Sequence, residues 1–279
     1  MIKRLYANQN EKLTHDIIKK TCENCGADVY PKIRVADVLE IEGSGISREE
    51  YSYGLKAHFD FVVCESDKPI FAVEFDGESH HNIDQRKRDG LKNTLCEKFE
   101  FPLLRITSNY LQKKYRHLTL LEWCIESWFC WEAFCNAQEQ GIIPLDEPFD
   151  MSSILSNGSK IIWPYNLYID INNEINQLDK DKNISHFNLS IWIGEKDNIF
   201  YGLGSIKINK EKAIIVRSSI TAKQFPIDET DLLDAIIYRE LWNVFKEGKG
   251  PFFSLETSKD LRKEYEAKYK LHCSHSLSW

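Results

Sequence analysis

Residues 57–81, AHFDFVVCESDKPIFAVEFDGESHH, carry the strongest structural pattern in the chain. It contains two runs of β-branched and aromatic residues, 57–64 and 70–75, separated by the polar segment 65–69. Two such runs joined by turn residues predict a β-hairpin. Each run is apolar at both odd and even positions, which is typical of strands covered on both faces. A carboxylate within such a strand is costly unless it is paired or binds a metal ion.

Three carboxylates stand within or directly after these strands: Asp60, Glu74 and Asp76. Oxygen ligands that converge from adjacent strands suit hard cations such as Mg²⁺ or Mn²⁺. We therefore expect these three residues to form a metal site. The alternative is that the carboxylates lie at strand ends and bind arginines such as Arg105.

A basic segment follows the carboxylates directly. The chain carries a net charge of −7, but residues 80–117 contain 9 Lys and Arg against 4 Asp and Glu. Within this segment, residues 83–99 repeat apolar positions at helical spacing, and Arg88 and Lys92 lie beside the apolar stripe. Their long side chains can extend toward the strand ends. Acidic metal ligands next to cations for phosphate oxygens indicate metal-assisted hydrolysis of phosphodiester bonds.

Further elements are predicted on either side of the hairpin. Residues 8–20 have amphipathic spacing and predict a helix. Residues 29–41 are rich in β-branched residues but contain Pro31, so we predict a strand that begins after the proline. Residues 101–107 predict another strand, and residues 119–140 predict a long helix. This order of helices and strands predicts an α/β core.

Several of these segments together resemble a known family. They are HFDFVVCESDKPIFAVEFDGESHH (58–81), QRKRDGLKNTL (85–95), FPLLRI (101–106) and, upstream, PKIRVADVL (31–39). They resemble the PD-(D/E)XK nuclease superfamily, in particular the restriction-endonuclease-like domains of unknown function related to very-short-patch-repair endonucleases. The resemblance extends over about residues 5–107. It implies a restriction-endonuclease-like core, with helices flanking a central mixed sheet, and a Mg²⁺-dependent endonuclease acting on DNA.

The resemblance also implies roles for individual residues. Asp60 and Glu74 would be the two metal-binding acids, and Asp76 would stand where the superfamily has a lysine. That lysine positions or deprotonates the attacking water, so Lys92 or His80 would have to supply its role. The alternatives are a solvated Lys92 side chain and a His80 that only belongs to a turn before the helix.

Two more groups of residues are candidates for the site. Some members of the superfamily add a glutamate from the N-terminal helix, and Glu11 stands at a matching position as a further metal ligand, or else as an ordinary surface acid. The residues expected to contact nucleic-acid phosphates are Arg86, Lys87, Arg88 and Arg105. The alternative for the three helical cations is a plain exposed helix face.

The chain is long enough for two domains. We predict a nuclease-like domain with a trailing long helix over residues 1–145 and a linker over residues 146–164, which are rich in Gly, Pro and Ser. Residues 165–279 are expected to form a second, smaller α+β domain, because three strand patterns are followed by an amphipathic helix. We find no chemistry-bearing motif there.

Composition restricts the setting of the protein. The polar start of the chain and the absence of a run of about 18 apolar residues predict a cytoplasmic protein with no membrane contact.

DNA is the expected partner, RNA is also compatible, and the C-terminal domain suggests a homodimer or a protein partner. Because the motif lysine is missing, the alternative function is a catalytically inactive nuclease fold that binds nucleic acid or assembles a complex.

Overall fold

A computed structural model describes residues 8–77, 83–112, 118–149, 167, 171, 173–175, 177, 188–221, 225–248, 250 and 252–278. The chain forms two compact units, residues 1–149 with 223–227 and residues 150–222 with 228–279. Residues 150–164 of the predicted linker 146–164 lie outside the described residues. Within the described part of the chain, no helix is both long enough and apolar enough to cross a membrane.

The first unit is a mixed α/β structure, as predicted. Its strands are β1 (Asp28–Arg34), β2 (His58–Glu65), β3 (Lys68–Phe75) and β4 (Leu103–Ile106). Its helices are α1 (Gln9–Cys25), α2 (Val35–Val38), α3 (Arg48–Gly54), α4 (Ile83–Lys98) and α5 (Leu120–Glu139), with a 3₁₀ turn at Ser108–Leu111. The strand order is β1-β2-β3-β4. Strand β2 is antiparallel to β1 and to β3, whereas β4 is parallel to β3 after the α4 crossover.

The hairpin predicted from residues 57–75 is confirmed, with a tighter turn than expected. Glu65 pairs with Lys68, so only Ser66 and Asp67 connect the two strands. Both have positive φ angles, 49° and 64°. Two consecutive residues in this conformation form the type I′ turn, whose twist matches that of the flanking strands.

The prediction that the first strand begins after Pro31 is wrong. Strand β1 runs through the proline, which pairs with Phe61, and helix α2 begins at Val35 directly after the strand ends. The physical reason is that β1 lies at an end of the described sheet. An edge strand tolerates proline, because the missing N–H can face away from the ladder.

Strands β2 and β3 are covered on both faces, as their apolar pattern predicts. On one face the Phe71 ring lies 5.2 Å from Trp128 of α5 and 5.3 Å from Phe225, between ring centroids. On the other face Val62 belongs to a buried cluster with Leu95 of α4. Because both faces are buried, a charged group at the ends of these strands loses hydration, which costs free energy.

The second unit contains an antiparallel sheet and two long helices among its described residues. The sheet order is β8-β7-β6-β5-β9. The elements are β5 (Asn188–Lys196), β6 (Ile199–Lys207), β7 (Lys212–Thr221), α6 (Glu229–Glu247), β8 (Phe252–Ser254), α7 (Leu255–Tyr269) and β9 (His272–Ser278). Helix α6 packs on one face of the sheet through Leu233, Ile237 and Leu241, close to Gly202 and Gly204. The last three elements were not predicted.

Candidate active site

Two predicted metal ligands, Asp60 and Glu74, lie next to each other at the end of the β2–β3 ladder. The register places Phe61 opposite Val73, so the next residues outward are Asp60 and Glu74. The backbone N–H of Asp60 donates to Glu74 Oε1 at 3.0 Å, and the N–H of Phe75 donates to Asp60 Oδ2 at 3.0 Å. Each carboxylate therefore caps the neighbouring strand, and the two acids are held next to each other.

Lys92 reaches this pair from helix α4. Its Nζ donates to Glu74 Oε2 at 2.7 Å and to the backbone carbonyl of His58 at 2.8 Å. The ammonium also lies 5.5 Å from the centre of the Phe59 ring, in range of a cation–π contact. Both Lys92 and Glu74 are buried. The structure thus brings together three of the residues singled out from the sequence.

The charge state of Glu74 depends on its neighbours. Burial raises the pKa of this carboxyl above its ordinary value, Lys92 opposes that rise, and the nearby Asp60 adds to it. A buried carboxylate beside a second one is stabilised in its charged form by any additional cation. The pair therefore has the electrostatic character of a cation site.

Lys32 is the site residue that sequence reasoning missed. Its Nζ lies 2.6 Å from Asp60 Oδ1 and 3.7 Å from Glu11 Oε2 of helix α1. Although burial disfavours its charged form, the hydrogen bond to Asp60 and the surrounding carboxylates raise the pKa of Lys32. Its backbone φ of 56° is uncommon for a residue other than glycine and carries strain. Because lysine is frequent on edge strands, the residue type of Lys32 did not indicate in the sequence that it belongs to the site.

Asp76 and Arg105 form a separate group beside the pair. Arg105 on β4 donates from Nη1 to Asp76 Oδ1 at 2.8 Å and from Nε to Asn93 Oδ1 at 3.0 Å. Its Nη2 also lies 3.4 Å from Asp89 Oδ1. The structure therefore pairs Asp76 with an arginine, as the alternative interpretation expected. The guanidinium of Arg105 is directed at protein side chains, although it was predicted to contact nucleic acid.

The remaining predicted residues lie on or before helix α4. Arg88 is exposed and lines the cleft described below. The exposed Lys87 forms a 2.6 Å ion pair with Glu49 of α3. Arg86 belongs to α4, but its side chain is outside the described part of the chain, and so is the whole of His80.

The acidic pair opens into a cleft of about 810 Å³. Helices α1, α3 and α4 and the ends of β2 and β3 form its walls. The lining includes both acids and Lys92, together with Asn8, Glu11, Ser52, Tyr53, Lys56, Asp76, Arg88 and Asp89. A cleft of this size admits a small ligand or a segment of a polymer.

The donor set of the pair suits magnesium better than zinc or calcium. Within the described residues, no group of three or more His, Cys, Asp or Glu is placed to hold a metal ion. Zinc sites usually need three or four protein ligands, and calcium takes six to eight oxygens. Mg²⁺ commonly binds through one or two carboxylates and completes its shell with water and substrate phosphates. Asp60 and Glu74 meet that requirement.

Comparison with known proteins gives one family match. Residues 3–120 match the model of a family described as Protein of unknown function (DUF2726). No curated protein and no solved structure matches the chain. The matched segment includes both acids of the pair and the two lysines that contact them, Lys32 and Lys92. It ends before the second unit begins.

Proposed function

We propose that the first unit is a Mg²⁺-dependent nuclease of the PD-(D/E)XK type, which hydrolyses phosphodiester bonds of DNA. The observation that carries this proposal is the pair of the partly buried Asp60 and the buried Glu74, held together at a cleft with the Lys92 ammonium bound to Glu74. A buried carboxylate whose pKa is raised by burial, in a cleft and next to a buried lysine, is typical of catalytic sites.

The sheet supports the same proposal. A four-stranded mixed sheet with helices packed on it is the architecture that the sequence resemblance implies. Both acids come from the antiparallel strands β2 and β3, at the ends that face the cleft. A site built on strands holds its side chains more rigidly than one built on loops.

Asp60 and Glu74 would hold the ion, which would supply a more acidic water and neutralise charge on the scissile phosphate. Lys92 provides the positive charge that the superfamily places at the position of Asp76. Its ammonium carries three N–H donors, of which Glu74 and the His58 carbonyl occupy two. The third donor can orient a water molecule or a phosphate oxygen in the cleft. Arg88, exposed on the cleft wall, supplies a second cation for the DNA backbone.

A cleavage assay tests the proposal. The full chain is incubated with single- and double-stranded DNA and with RNA, in Mg²⁺, in Mn²⁺ and in EDTA. We expect metal-dependent cutting of DNA that falls by about 100-fold or more in Asp60→Asn and in Glu74→Gln. Asp67→Asn is the matched control, because Asp67 is an exposed acid in the turn of the same hairpin. Cutting that survives both site substitutions would overturn the assignment.

A second candidate is a nuclease fold that binds nucleic acid without cutting it. The observation that favours it is that Lys32 and Lys92 already pair with Asp60 and Glu74. It predicts that DNA binding weakens with salt and needs no metal, and that Arg88→Gln reduces the salt dependence. In this case none of the nucleic acids is cut in Mg²⁺ or Mn²⁺.

A further inference from the structure

Helix α7 covers one face of the sheet in the second unit, and part of the space between them is lined by polar side chains. A helix normally covers a sheet with an apolar stripe. In α7 the aromatic contact lies at its end, where Tyr269 stacks on Tyr201 of β6, whereas Ser258, Lys259 and Arg262 line the space nearer its start. None of the helix residues is buried. The opposite face of the same sheet shows the ordinary arrangement, since α6 packs there through leucine and isoleucine side chains.

Several of the sheet residues beneath α7 are also polar. They stand in adjacent cross-strand rows, in which Asn188 pairs with Lys207 and Ser190 pairs with Ser205. Between them and the helix lies a cleft of about 380 Å³. Its described lining consists of Asn188, Ser190, Trp192, Leu203, Ser205, Lys207, Ala213, Leu255, Ser258, Lys259 and Arg262.

The charges around this cleft have one sign. Lys207, Lys259 and Arg262 contribute three positive charges, and the described lining contains no Asp or Glu. Outside this lining, Glu266 forms an ion pair with Arg262, with its Oε1 3.3 Å from Arg262 Nε. A cleft whose charged lining residues are all cations favours an anionic ligand.

Arg262 contacts an aromatic ring of the sheet. Its guanidinium lies 5.0 Å from the centre of the Trp192 ring, so the ring supports it through a cation–π contact. Its Nε is buried but forms no hydrogen bond within the described residues, because the approach to Glu266 lacks the necessary alignment. A buried donor without an acceptor is the kind of group that a ligand satisfies.

The remaining polar groups match the same ligand. Hydroxyls of Ser190, Ser205 and Ser258 and the amide of Asn188 surround the cations. Arginine, lysine and small hydroxyl side chains are the usual partners of phosphate oxygens. A volume of about 380 Å³ is near the lower end of small-ligand sites, which suits one phosphorylated unit better than a large molecule.

We propose that the cleft between α7 and the sheet binds the phosphate group of a nucleotide. The same chemistry is presented by a free nucleotide and by one residue of a single-stranded nucleic acid. The site goes beyond the proposed nuclease function and does not depend on it, because none of its residues belongs to the first unit.

Fluorescence anisotropy tests this site on the full chain. A labelled single-stranded oligonucleotide is titrated in EDTA, so that metal-dependent cutting plays no part, and AMP and inorganic phosphate are added as competitors. We expect Lys259→Gln combined with Arg262→Gln to weaken binding by about tenfold or more. Each lost phosphate contact should also reduce the salt slope by about 0.7. Lys263→Gln, an exposed lysine on the same helix outside the cleft, should bind like the wild type.

The competitors distinguish the source of the phosphate. Displacement by micromolar AMP indicates a nucleotide site, whereas displacement only by unlabelled oligonucleotide indicates a strand-binding site, and both support the proposal. Because Arg262→Gln also removes the contact with Trp192, the exposed Lys207→Gln provides a second variant whose folding should be unaffected. No binding by the wild type, or equal binding by the wild type and the cleft variants, would overturn the proposal.

Discussion

The Lys92 ammonium donates a 2.7 Å hydrogen bond to Glu74 Oε2, and both side chains are only 8% exposed. Removing two charges from water costs several kcal/mol each, and their attraction repays that cost only in part. An apolar pair of similar volume would serve the fold at least as well. The position of this pair at the floor of a cleft is therefore more readily explained by chemistry than by stability.

Replacing Lys92 should destabilise the first unit, because Glu74 then stays buried without its hydrogen-bonded cation. We expect Lys92→Met to lower the free energy of unfolding by about 3–5 kcal/mol at pH 8, measured by urea denaturation. Lys87→Met is the matched control on the same helix, since its pair with Glu49 is exposed and should contribute about 1 kcal/mol or less. Equal effects of the two substitutions would contradict the buried-pair interpretation.

Replacing Lys32 should tighten metal binding. Its ammonium lies 2.6 Å from Asp60 Oδ1, where it competes with a divalent ion for the same carboxylate. We expect Lys32→Met to bind Mn²⁺ about tenfold more tightly in isothermal titration calorimetry. Lys56→Met removes another lysine of the cleft and serves as the control. Unchanged or weaker Mn²⁺ binding by Lys32→Met would show that Lys32 does not compete with the ion.

Acid should weaken the attachment of α3, one wall of the cleft, to α4. The hydrogen bond from Lys98 and those from Ser47 lower the pKa of Glu50 from 4.5 to about 2. A lowered pKa stabilises the fold above the ordinary value, and this stabilisation is lost as the pH falls from 4.5 toward 2. Urea midpoints should therefore fall more steeply over this range for the wild type than for Glu50→Gln. Parallel curves would contradict this role of Glu50.

Close packing of α6 makes the second sheet sensitive at Gly204. A Cβ at this position would overlap with side chains of Ile237 and Leu241. We expect Gly204→Ala to destabilise the second unit by about 1–3 kcal/mol in thermal unfolding. Gly90→Ala in α4 is the control, because a Cβ there meets nothing within 4 Å and alanine favours a helix. A Gly204→Ala variant as stable as the wild type would indicate that α6 lies farther from the sheet.

Local sequence patterns sufficed for the hairpin and for helix α4. The continuous apolar runs of the two strands, the polar turn around Ser66 and Asp67, and the helical spacing after residue 83 each depend on neighbours in the chain. The same patterns placed Asp60 and Glu74 near each other, because the two strands of a hairpin must pair in register.

Contacts between distant segments explain most of what local patterns left open. Arg105 reaches Asp76 because β4 pairs in parallel with β3, a register that no local pattern specifies, so this pairing could only be one of two alternatives. Lys32 reaches Asp60 because its backbone takes a left-handed conformation within an edge strand that includes Pro31. In the second unit, α7 is rich in charged residues and none of its residues is buried, which weakens the apolar pattern by which a helix is usually predicted.

The most direct test of the central claim is anomalous diffraction from crystals of the full chain soaked in Mn²⁺, at a concentration that saturates the protein in solution. We predict a single strong peak about 2.1 Å from carboxylate oxygens of both Asp60 and Glu74, with the Lys32 ammonium displaced from Asp60. Lys32 and Lys92 remaining in their ion pairs, with no peak between the two carboxylates, would contradict it.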